Sequence, residues 1–438
     1  MQKIARISCL AAALSLAFAG GAAAQTAPTQ TDVHRDAATR NTGGDQFLID
    51  NSRAFYCNLA DNNNAIVLQA RSWNNRTGAN NNQYRIGPMQ IFDDVWVVGN
   101  QYVAQYMIKT ADGIVQVDSA NDGNEFAMFN FPALQSIGMS ATFPLKAIFL
   151  THGHFDHDGG AQWALDHLGV RSYIGSADNQ PPIGPATGKA YHPNLIDSTD
   201  LSMRQMSIGG KNFWVLPTPG HTPGATSAVV EVTDWGKTRR VLMNGGQSMT
   251  SSIPDVVNYL SSIERAYAMA AALNVEGVMT PHIYWDGEGK KFDDIAAHGR
   301  TNPSQTIYGH DAVMRQMAVA RECSAAWLTN LDKTRVIPVW RYNTIRFTGN
   351  PTVNGVSAQV QNGWGPLANQ AVTFTSSAGA SCTATTDANG VASCVIRPLR
   401  PFKDTVTASF AGAQGADFVD LAADTPEAAP VCSAGTCK

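Results

Sequence analysis

Short apolar runs separated by turn residues dominate the middle of the chain. They cover residues 95–98, 104–108, 114–117 and 145–150. The first three are joined by turns and predict successive hairpins, whereas the fourth is short enough to be a buried strand. Residues 161–168 have the pattern of a helix that ends at Gly169. Hairpins followed by strand–helix alternation predict an α/β (α+β) domain with four layers, αββα, in which two sheets lie between helices.

The N-terminal residues depart from this pattern. Residues 1–24 combine two basic residues with an apolar stretch and end in three alanines, as a secretory signal peptide does. That stretch is too short to span a bilayer, and no later one is apolar over ~18 residues, so we expect no membrane span. The mature chain is expected to work in the periplasm or to be secreted. Residues 25–84 are polar and predict a partly ordered extension that packs a short helix on the main domain, residues 85–341.

The composition changes again in the C-terminal part. Residues 342–423 are rich in Thr, Val, Ser, Ala and Gly, alternate as strands do, and contain no histidine. The turn Thr-Asp-Ala-Asn-Gly at residues 386–390 resembles the turn of bacterial immunoglobulin-like repeats. We therefore expect a small all-β immunoglobulin-like sandwich, followed by a loose tail at residues 424–438. The sandwich is either a spacer that stabilises the chain or a module that contacts the cell wall or another surface.

Length and charge narrow the classes of function. A chain of 438 residues is long enough for two or three domains and a large core. The net charge of −4 is small, and no basic run occurs. Charge therefore favours neither nucleic acid nor an anionic membrane surface as a partner.

The cysteines predict disulfides. Seven become six once Cys9 leaves with the signal peptide, and six is an even number in an oxidising compartment. Two pairs are close in sequence and predict local bonds, Cys382–Cys394 across the turn at 386–390 and Cys432–Cys437 in the tail. Cys57 and Cys323 then either pair with each other or remain free buried thiols.

The densest cluster of reactive side chains follows the fourth apolar run. Residues 151–160 are Thr-His-Gly-His-Phe-Asp-His-Asp-Gly-Gly, between the end of a strand and a helix, where α/β proteins place their sites. His152 and His154 are two apart on an extended segment, so their rings point to one side, and Asp156 and His157 follow after the chain turns. Zinc binds imidazole nitrogens and carboxylate oxygens, and four such side chains resist burial without a cation among them. The alternative is a His-rich surface turn.

The order H-x-H-x-D-H after a strand resembles the metallo-β-lactamase superfamily. Two later histidines extend the resemblance, His221 in Pro-Thr-Pro-Gly-His-Thr-Pro-Gly and His282 after Val-Met-Thr-Pro. The resemblance covers about residues 85 to 335 and implies the same αββα sandwich. Asp118 ends a strand where the superfamily usually carries an Asp, which implies that it braces a ligand histidine. The alternative is an Asp that caps a turn.

The loop at residues 240–248 departs from the superfamily. Most of its hydrolases place there an Asp that bridges two metals, whereas Gly246, or else Gly245, stands at that position in this chain. Zinc-dependent β-lactamases lack this Asp, and those of subclass B3 build the second metal site from one Asp and two His. The resemblance to subclass B3 implies two zinc ions per chain, one bound by His152, His154 and His221 and the other by Asp156, His157 and His282. Gln247 and Ser248 match only in part the serines that contact substrate in that subclass.

Subclass B3 also carries a disulfide near its last helix. Cys323 resembles the second cysteine of that disulfide, but no cysteine lies between His221 and His282 to be the first. We therefore choose Cys57 as the partner of Cys323.

The activity implied by the resemblance is hydrolysis of the β-lactam ring of a small-molecule substrate, the reaction of antibiotic resistance. A metal-bound hydroxide would attack the ring carbonyl, and Asp156 would orient the water and relay a proton to the leaving nitrogen. Two alternatives stay open. The first is another metallohydrolase of the same fold, such as a lactonase. The second is a cell-surface binding protein whose metal domain is vestigial.

Overall fold

The computed structural model describes residues 28–62, 85–100, 103–283, 287–352, 354–399, 404–411, 418–421, 432–433 and 436–437. The expected signal peptide, residues 1–24, lies outside these ranges, so the signal peptide and export of the chain stay predictions. Within the described ranges, no helix combines the length and the apolar character needed to cross a bilayer.

A seven-stranded sheet forms the first half of the main domain, and its strands lie in chain order. They are β1 (Arg85–Phe92), β2 (Val95–Asn100), β3 (Ala104–Lys109), β4 (Ile114–Val117), β5 (Leu145–Phe149), β6 (Ser172–Gly175) and β7 (Asn194–Ile196). The pairs from β1 to β4 are antiparallel, and those from β4 to β7 are parallel. The carboxyl ends of β4, β5 and β6 therefore meet at one edge, where the loops that follow parallel strands gather.

A five-stranded sheet forms the second half, in the order β12-β11-β10-β9-β8. Its strands are β8 (Arg204–Ile208), β9 (Lys211–Pro217), β10 (Thr226–Asp234), β11 (Lys237–Met243) and β12 (Gly277–Met279). The two sheets pack face to face through one apolar core, to which the first contributes Val97 and Tyr106 and the second Val230 and Val241. Alternate apolar residues on these strands supply this inner face because side chains of a strand point to opposite sides in turn.

Helices cover the outer faces of both sheets. The helices of the described chain are α1 (Gln30–Asn41), α2 (Ala54–Tyr56), α3 (Gly123–Glu125), α4 (Phe131–Ser136), α5 (Phe155–Asp158), α6 (Ala161–Leu168), α7 (Ile253–Ala272), α8 (Glu288–His298) and α9 (His310–Leu331), with π-helical turns at Leu48–Arg53 and Phe126–Asn130 and a 3-10 turn at Ser176–Asn179. Leu134 of α4 packs in a cluster with Ile148 of the first sheet, and Ala270 of α7 packs in a cluster with Leu242 of the second. The predicted four-layer αββα sandwich is therefore confirmed.

The extension at the N-terminus packs on the main domain through α1, which lies along α9. His34 of α1 forms a fully buried pair with Glu322 of α9, with 2.7 Å between Nδ1 and a carboxylate oxygen. A disulfide joins Cys57, just after α2, to Cys323 of α9. The extension is thus attached to the last helix by burial, by a buried polar pair and by a covalent bond.

The C-terminal region is all-β, as predicted. Its strands are β13 (Val339–Tyr342), β14 (Thr344–Phe347), β15 (Val356–Asn362), β16 (Gly365–Pro366), β17 (Ala371–Ser376), β18 (Ser381–Thr385), β19 (Val391–Cys394), β20 (Val406–Phe410), β21 (Phe418–Leu421), β22 (Cys432–Ser433) and β23 (Thr436–Cys437). One sheet holds β14, β15, β16 and β19, another holds β17, β18 and β20, and Val360 and Phe374 lie in the core between them. The immunoglobulin-like character of this region, its role and its boundaries stay predictions.

Disulfides in this region follow the local spacing. A bond between Cys382 and Cys394 joins β18 to β19. The backbones of Cys432 and Cys437 face each other in the hairpin of β22 and β23. Their side chains lie outside the described part of the chain, so that pair stays a prediction.

Candidate metal centre

The H-x-H-x-D-H segment begins shortly after β5 ends. The chain is still extended at His154, whose ψ is 149°, and then turns into the short helix α5, so that the two halves of the motif face one hollow from different sides. His152 and His157 are almost fully buried, and His154 and Asp156 are half-buried. The strand end and the helix start therefore place two pairs of candidate ligand side chains at the edge where the parallel strands end.

The first metal group joins His152 and His154 to His221, which lies on the turn between β9 and β10. One ring nitrogen from each lies within 4.8 Å of the others, and the Nε2 atoms of His152 and His221 are 3.1 Å apart. Nδ1 of His221 donates to the carbonyl oxygen of Ser248 at 2.9 Å, so Nε2 of a neutral His221 ring carries a lone pair. Burial lowers the pKa of His221 to about 4 and that of His152 well below its ordinary value, so both rings are neutral at pH 7.

The second metal group consists of Asp156, His157 and His282, the last of which follows β12. The Nε2 atoms of His157 and His282 are 3.2 Å apart, and Oδ2 of Asp156 lies 3.5 Å from the first and 3.7 Å from the second. On the other side of its ring, Nδ1 of His157 lies 2.7 Å from Oδ2 of the buried Asp118. Burial opposes positive charge on His157, but the Asp118 carboxylate outweighs it and raises the pKa of that ring. Asp118 therefore favours positive charge on this ring.

The donors of the first group fit a divalent metal. Thr151 Oγ1 donates to Asp118 and accepts from Nδ1 of His152, which leaves a lone pair on Nε2 of His152 as well. Two nitrogen lone pairs that face each other at 3.1 Å repel unless a cation lies between them. Nitrogens bound at about 2.0–2.1 Å around a tetrahedral zinc ion lie roughly 3.3 Å apart, close to this separation.

The glycines where the superfamily usually has an Asp leave no room for a side chain. A Cβ on Gly246 would lie 2.6 Å from Cβ of His221, and one on Gly245 would lie 2.1 Å from the carbonyl oxygen of Thr226. The His221 side chain therefore fills the space beside Gly246, and the Thr226 backbone fills that beside Gly245. Gln247 is buried, and the backbone of Ser248 is engaged with His221, so a contact of either side chain with substrate stays a prediction.

Several residues outside the predicted site hold the H-x-H-x-D-H segment in place. Asp178, at the 3-10 turn after β6, accepts a hydrogen bond from the backbone N–H of Gly153 at 2.8 Å. Nζ of Lys189 donates to the carbonyl oxygen of Gly153 and pairs with Asp158, to which Tyr191 also donates. The only local signal was an acidic residue at the end of a parallel strand, which is too common to single out Asp178.

Comparisons with known proteins agree with this geometry. Residues 101–236 match the model of the metallo-beta-lactamase superfamily. The chain is 36% identical over 105 residues to the probable metallo-hydrolase YflN of Bacillus subtilis, covering 19% of this chain and 40% of that protein. It is 36% identical over 93 residues to a hydroxyacylglutathione hydrolase of Salmonella paratyphi A, covering 21% of this chain and 32% of that protein. The chain thus spans less than half the length of these two relatives.

Solved structures resemble the chain over about half its length. The subclass B3 metallo-beta-lactamase BJP-1 of Bradyrhizobium japonicum is 21% identical, covers 52% of this chain and 89% of its own, and has a TM-score of 0.40. The subclass B3 enzyme MEM-A1 from a soil metagenome is 19% identical and has a TM-score of 0.42. The similarity covers 53% of this chain and 92% of MEM-A1. The family match thus identifies residues 101–236 as a metallo-β-lactamase superfamily domain, which carries five of the six residues of the two metal groups.

Proposed function

We propose that this domain is a metal-dependent hydrolase that binds two divalent ions, zinc in the first instance, and opens the amide of a β-lactam ring. One observation supports metal binding. The Nε2 lone pairs of His152 and His221 face each other at 3.1 Å, and the second group, which includes a carboxylate, lies beside them. His152, His154 and His221 would bind one ion, and Asp156, His157 and His282 the other. When bound, zinc supplies a Lewis acid and lowers the pKa of a water molecule to ≈ 7.

The residues around the ligands hold their rings in one protonation state. Asp118 keeps the proton of His157 on Nδ1, and the Ser248 carbonyl does the same for His221, so each Nε2 atom faces the hollow with a lone pair. Asp118 is itself held by the backbone N–H of Thr151 at 2.8 Å. The domain therefore presents its nitrogen ligands before a metal arrives, which favours tight binding.

Asp156 has the properties of a residue that handles protons. One of its oxygens faces His157 and His282, and its side chain is 23% exposed, compared with 1% for His157 and 17% for His282. A carboxylate at that position would orient a water molecule toward the substrate carbonyl and pass a proton to the leaving nitrogen. A histidine that binds a metal through one ring nitrogen and a hydrogen-bond partner through the other has no nitrogen left for proton transfer.

A second candidate is hydrolysis of an ester or thioester, since relatives of the chain include hydroxyacylglutathione hydrolases. The absence of a carboxylate at Gly245 and Gly246 favours the β-lactam as substrate, because most hydrolases of the superfamily bridge their metals with an Asp there. The two candidates share the metal groups and differ in substrate.

Parallel assays separate the candidates. The purified chain is offered a chromogenic cephalosporin, a homoserine lactone and a lactoyl-glutathione thioester, each with and without chelator. We expect cephalosporin hydrolysis that chelator removes and added zinc restores. His221→Ala should lose nearly all of it, whereas His298→Ala, which removes an exposed histidine of α8, should keep it. Turnover of only the lactone or the thioester would overturn the β-lactam proposal, and no turnover of any would overturn the hydrolase.

We further propose that the chain is exported to the periplasm or secreted, and that its C-terminal region is a spacer. Two disulfides support export, since such bonds persist in oxidising compartments. Cell fractionation tests this, and full retention of the chain in the cytoplasm would contradict it.

A further inference from the structure

Asp178 is a fully buried carboxylate that the proposed chemistry does not use. It lies on the 3-10 turn Ser176–Asn179 and accepts three hydrogen bonds. The donors are the backbone N–H of Gly153 at 2.8 Å, Oγ1 of Thr222 at 2.7 Å and the backbone N–H of Gly224 at 2.6 Å. Burial raises the pKa of Asp178, but three donors aimed at its two oxygens favour the ionised carboxylate.

These donors belong to both loops that carry the first metal group. Gly153 stands between His152 and His154, and Thr222 directly follows His221. The side chains of His152 and His221 meet at their Nε2 atoms, where two lone pairs repel instead of forming a bond. Asp178 therefore joins, through one carboxylate, two loops that are far apart in the sequence and whose ligand rings repel each other.

Close packing makes this connection stiff. A Cβ on Gly153 would lie 2.9 Å from Cβ of Asp178, and a Cβ on Gly224 would lie 2.5 Å from its backbone nitrogen. Glycine at both positions is what lets the two loops approach the carboxylate. On the opposite side, Lys189 donates to the carbonyl oxygen of Gly153 at 2.9 Å, so that residue is held through both its N–H and its C=O.

A stiff connection matters because the first group is unfavourable without its metal. The lone pairs of His152 and His221 repel at 3.1 Å, and a free loop would relieve that repulsion by moving its ring away. Metal binding would then have to bring the loops together again, and the cost would weaken affinity. A carboxylate that holds both loops lowers that cost before the metal binds.

We infer that Asp178 is the positioning residue of the first metal group, which sets zinc affinity there by tying the His152–His154 loop to the His221 turn. The inference rests on the proposed metal site and is independent of the substrate. Asn at this position accepts at most two of the three hydrogen bonds, because its amide nitrogen turns a donor toward the remaining one. Outer partners of metal ligands typically contribute about 10–100-fold to affinity.

Zinc affinity tests this directly. The chain is freed of metal and titrated with Zn²⁺ against a chromophoric chelator, in the background His282→Ala, which leaves the first of the two groups complete. We expect Asp178→Asn to weaken this site by about 10–100-fold. Asp234→Asn, which removes a buried carboxylate that accepts a backbone N–H at the far end of β10, should change it less than about threefold. Affinity in Asp178→Asn within about twofold of its background would overturn the inference.

A milder pair of variants covers the case in which Asp178→Asn does not fold. Thr222→Val removes a single donor and keeps the shape of the side chain, and Thr222→Ser restores the hydroxyl. We expect Thr222→Val to weaken zinc binding several-fold and Thr222→Ser to bind zinc as the background protein does. The melting temperatures of the metal-free proteins are measured in parallel. Equal zinc affinity in Val and Ser would contradict the inference. Failure of the unmodified chain to bind zinc at all would instead overturn the proposed function, and this inference with it.

Discussion

Oδ2 of Asp118 lies 2.7 Å from Nδ1 of His157, and both side chains are buried. Asp118 also accepts from the backbone N–H and the hydroxyl of Thr151, the residue before the first ligand histidine. Its backbone has a φ of 58°, a left-handed conformation that Asp and Asn tolerate better than most residues. The carboxylate therefore fixes both the backbone that leads into the H-x-H-x-D-H segment and the ring of His157, a candidate ligand.

Asp118→Asn should change which nitrogen of the His157 ring carries the proton. The amide keeps the left-handed backbone, but its nitrogen is a donor and favours a ring with its proton on Nε2, the atom that faces the metal. We expect zinc affinity at the second group to fall by about 10–100-fold. The melting temperature should change little. Zinc titration of the variant checks this. Unchanged affinity would mean that Asp118 only shapes the backbone, the turn-capping alternative.

Gly246→Ala should disturb the first metal group although it adds only a methyl group. The new Cβ would lie 2.6 Å from Cβ of His221, so the ring must move. We expect turnover to fall by on the order of 100-fold, since misplacement by about 1 Å has that effect in active sites. Gly349→Ala is the matched control, because its Cβ would meet nothing within 4 Å. Equal activity of the two variants would show that the His221 turn adapts.

The end of the catalytic unit is predicted to lie just after Tyr342. That residue is 1% exposed and packs in the core beneath α7 and α9, and Asn41 of α1 bonds to the backbone on both sides of Arg341. A chain that stops at Arg341 loses this ring and should lose on the order of 3 kcal/mol of stability relative to one that stops at Asn343. Urea denaturation of the two truncated chains measures the difference in their free energies of unfolding. Equal stability would place Tyr342 outside the unit.

The end of the main domain is predicted at residue 341, and the composition changes just beyond it. The packing of the strand at this point has no such local signal. Trp340 and Tyr342 alternate inward on β13 and join a core made of α7, α9 and the second sheet, which no local pattern of one short strand reveals. Much of the first sheet was predictable, because its strands include short apolar runs separated by turn residues.

The metal groups were predictable for a different reason. Ligand histidines come in a dense, ordered motif, and the resemblance to one superfamily supplied His221 and His282 at a distance. Asp178 had no such signal, because its three donors lie 25, 44 and 46 residues away in the chain. The same holds for Gly246, whose need to be glycine comes from a ring that approaches it across the fold. A contact between two single residues that are far apart in the chain produces no repeating pattern in the sequence.

The ion pairs inside the N-terminal extension should weaken in acid. Burial opposes the charge of Asp61, but Arg53 and Arg35 outweigh it and lower the pKa of its carboxyl below the ordinary 3.8. A lowered pKa contributes stability above the ordinary value, and that contribution is lost as pH falls through the lowered one. We expect Asp61→Asn to reduce the melting temperature at pH 7, with the difference from the unmodified protein shrinking below about pH 4. Thermal melts across pH check this, and a constant difference would contradict it.

Elemental analysis of the unmodified protein and of His282→Ala, each purified without chelator, counts the zinc ions held by the two proposed metal groups. His282→Ala leaves only Asp156 and His157 in the second group, fewer than the three protein ligands usual in a catalytic zinc site. We expect about two zinc ions per chain in the unmodified protein and about one in the variant, with most turnover lost and the fold kept. Two tightly bound zinc ions and normal turnover in His282→Ala, or no zinc in the unmodified protein, would contradict this expectation.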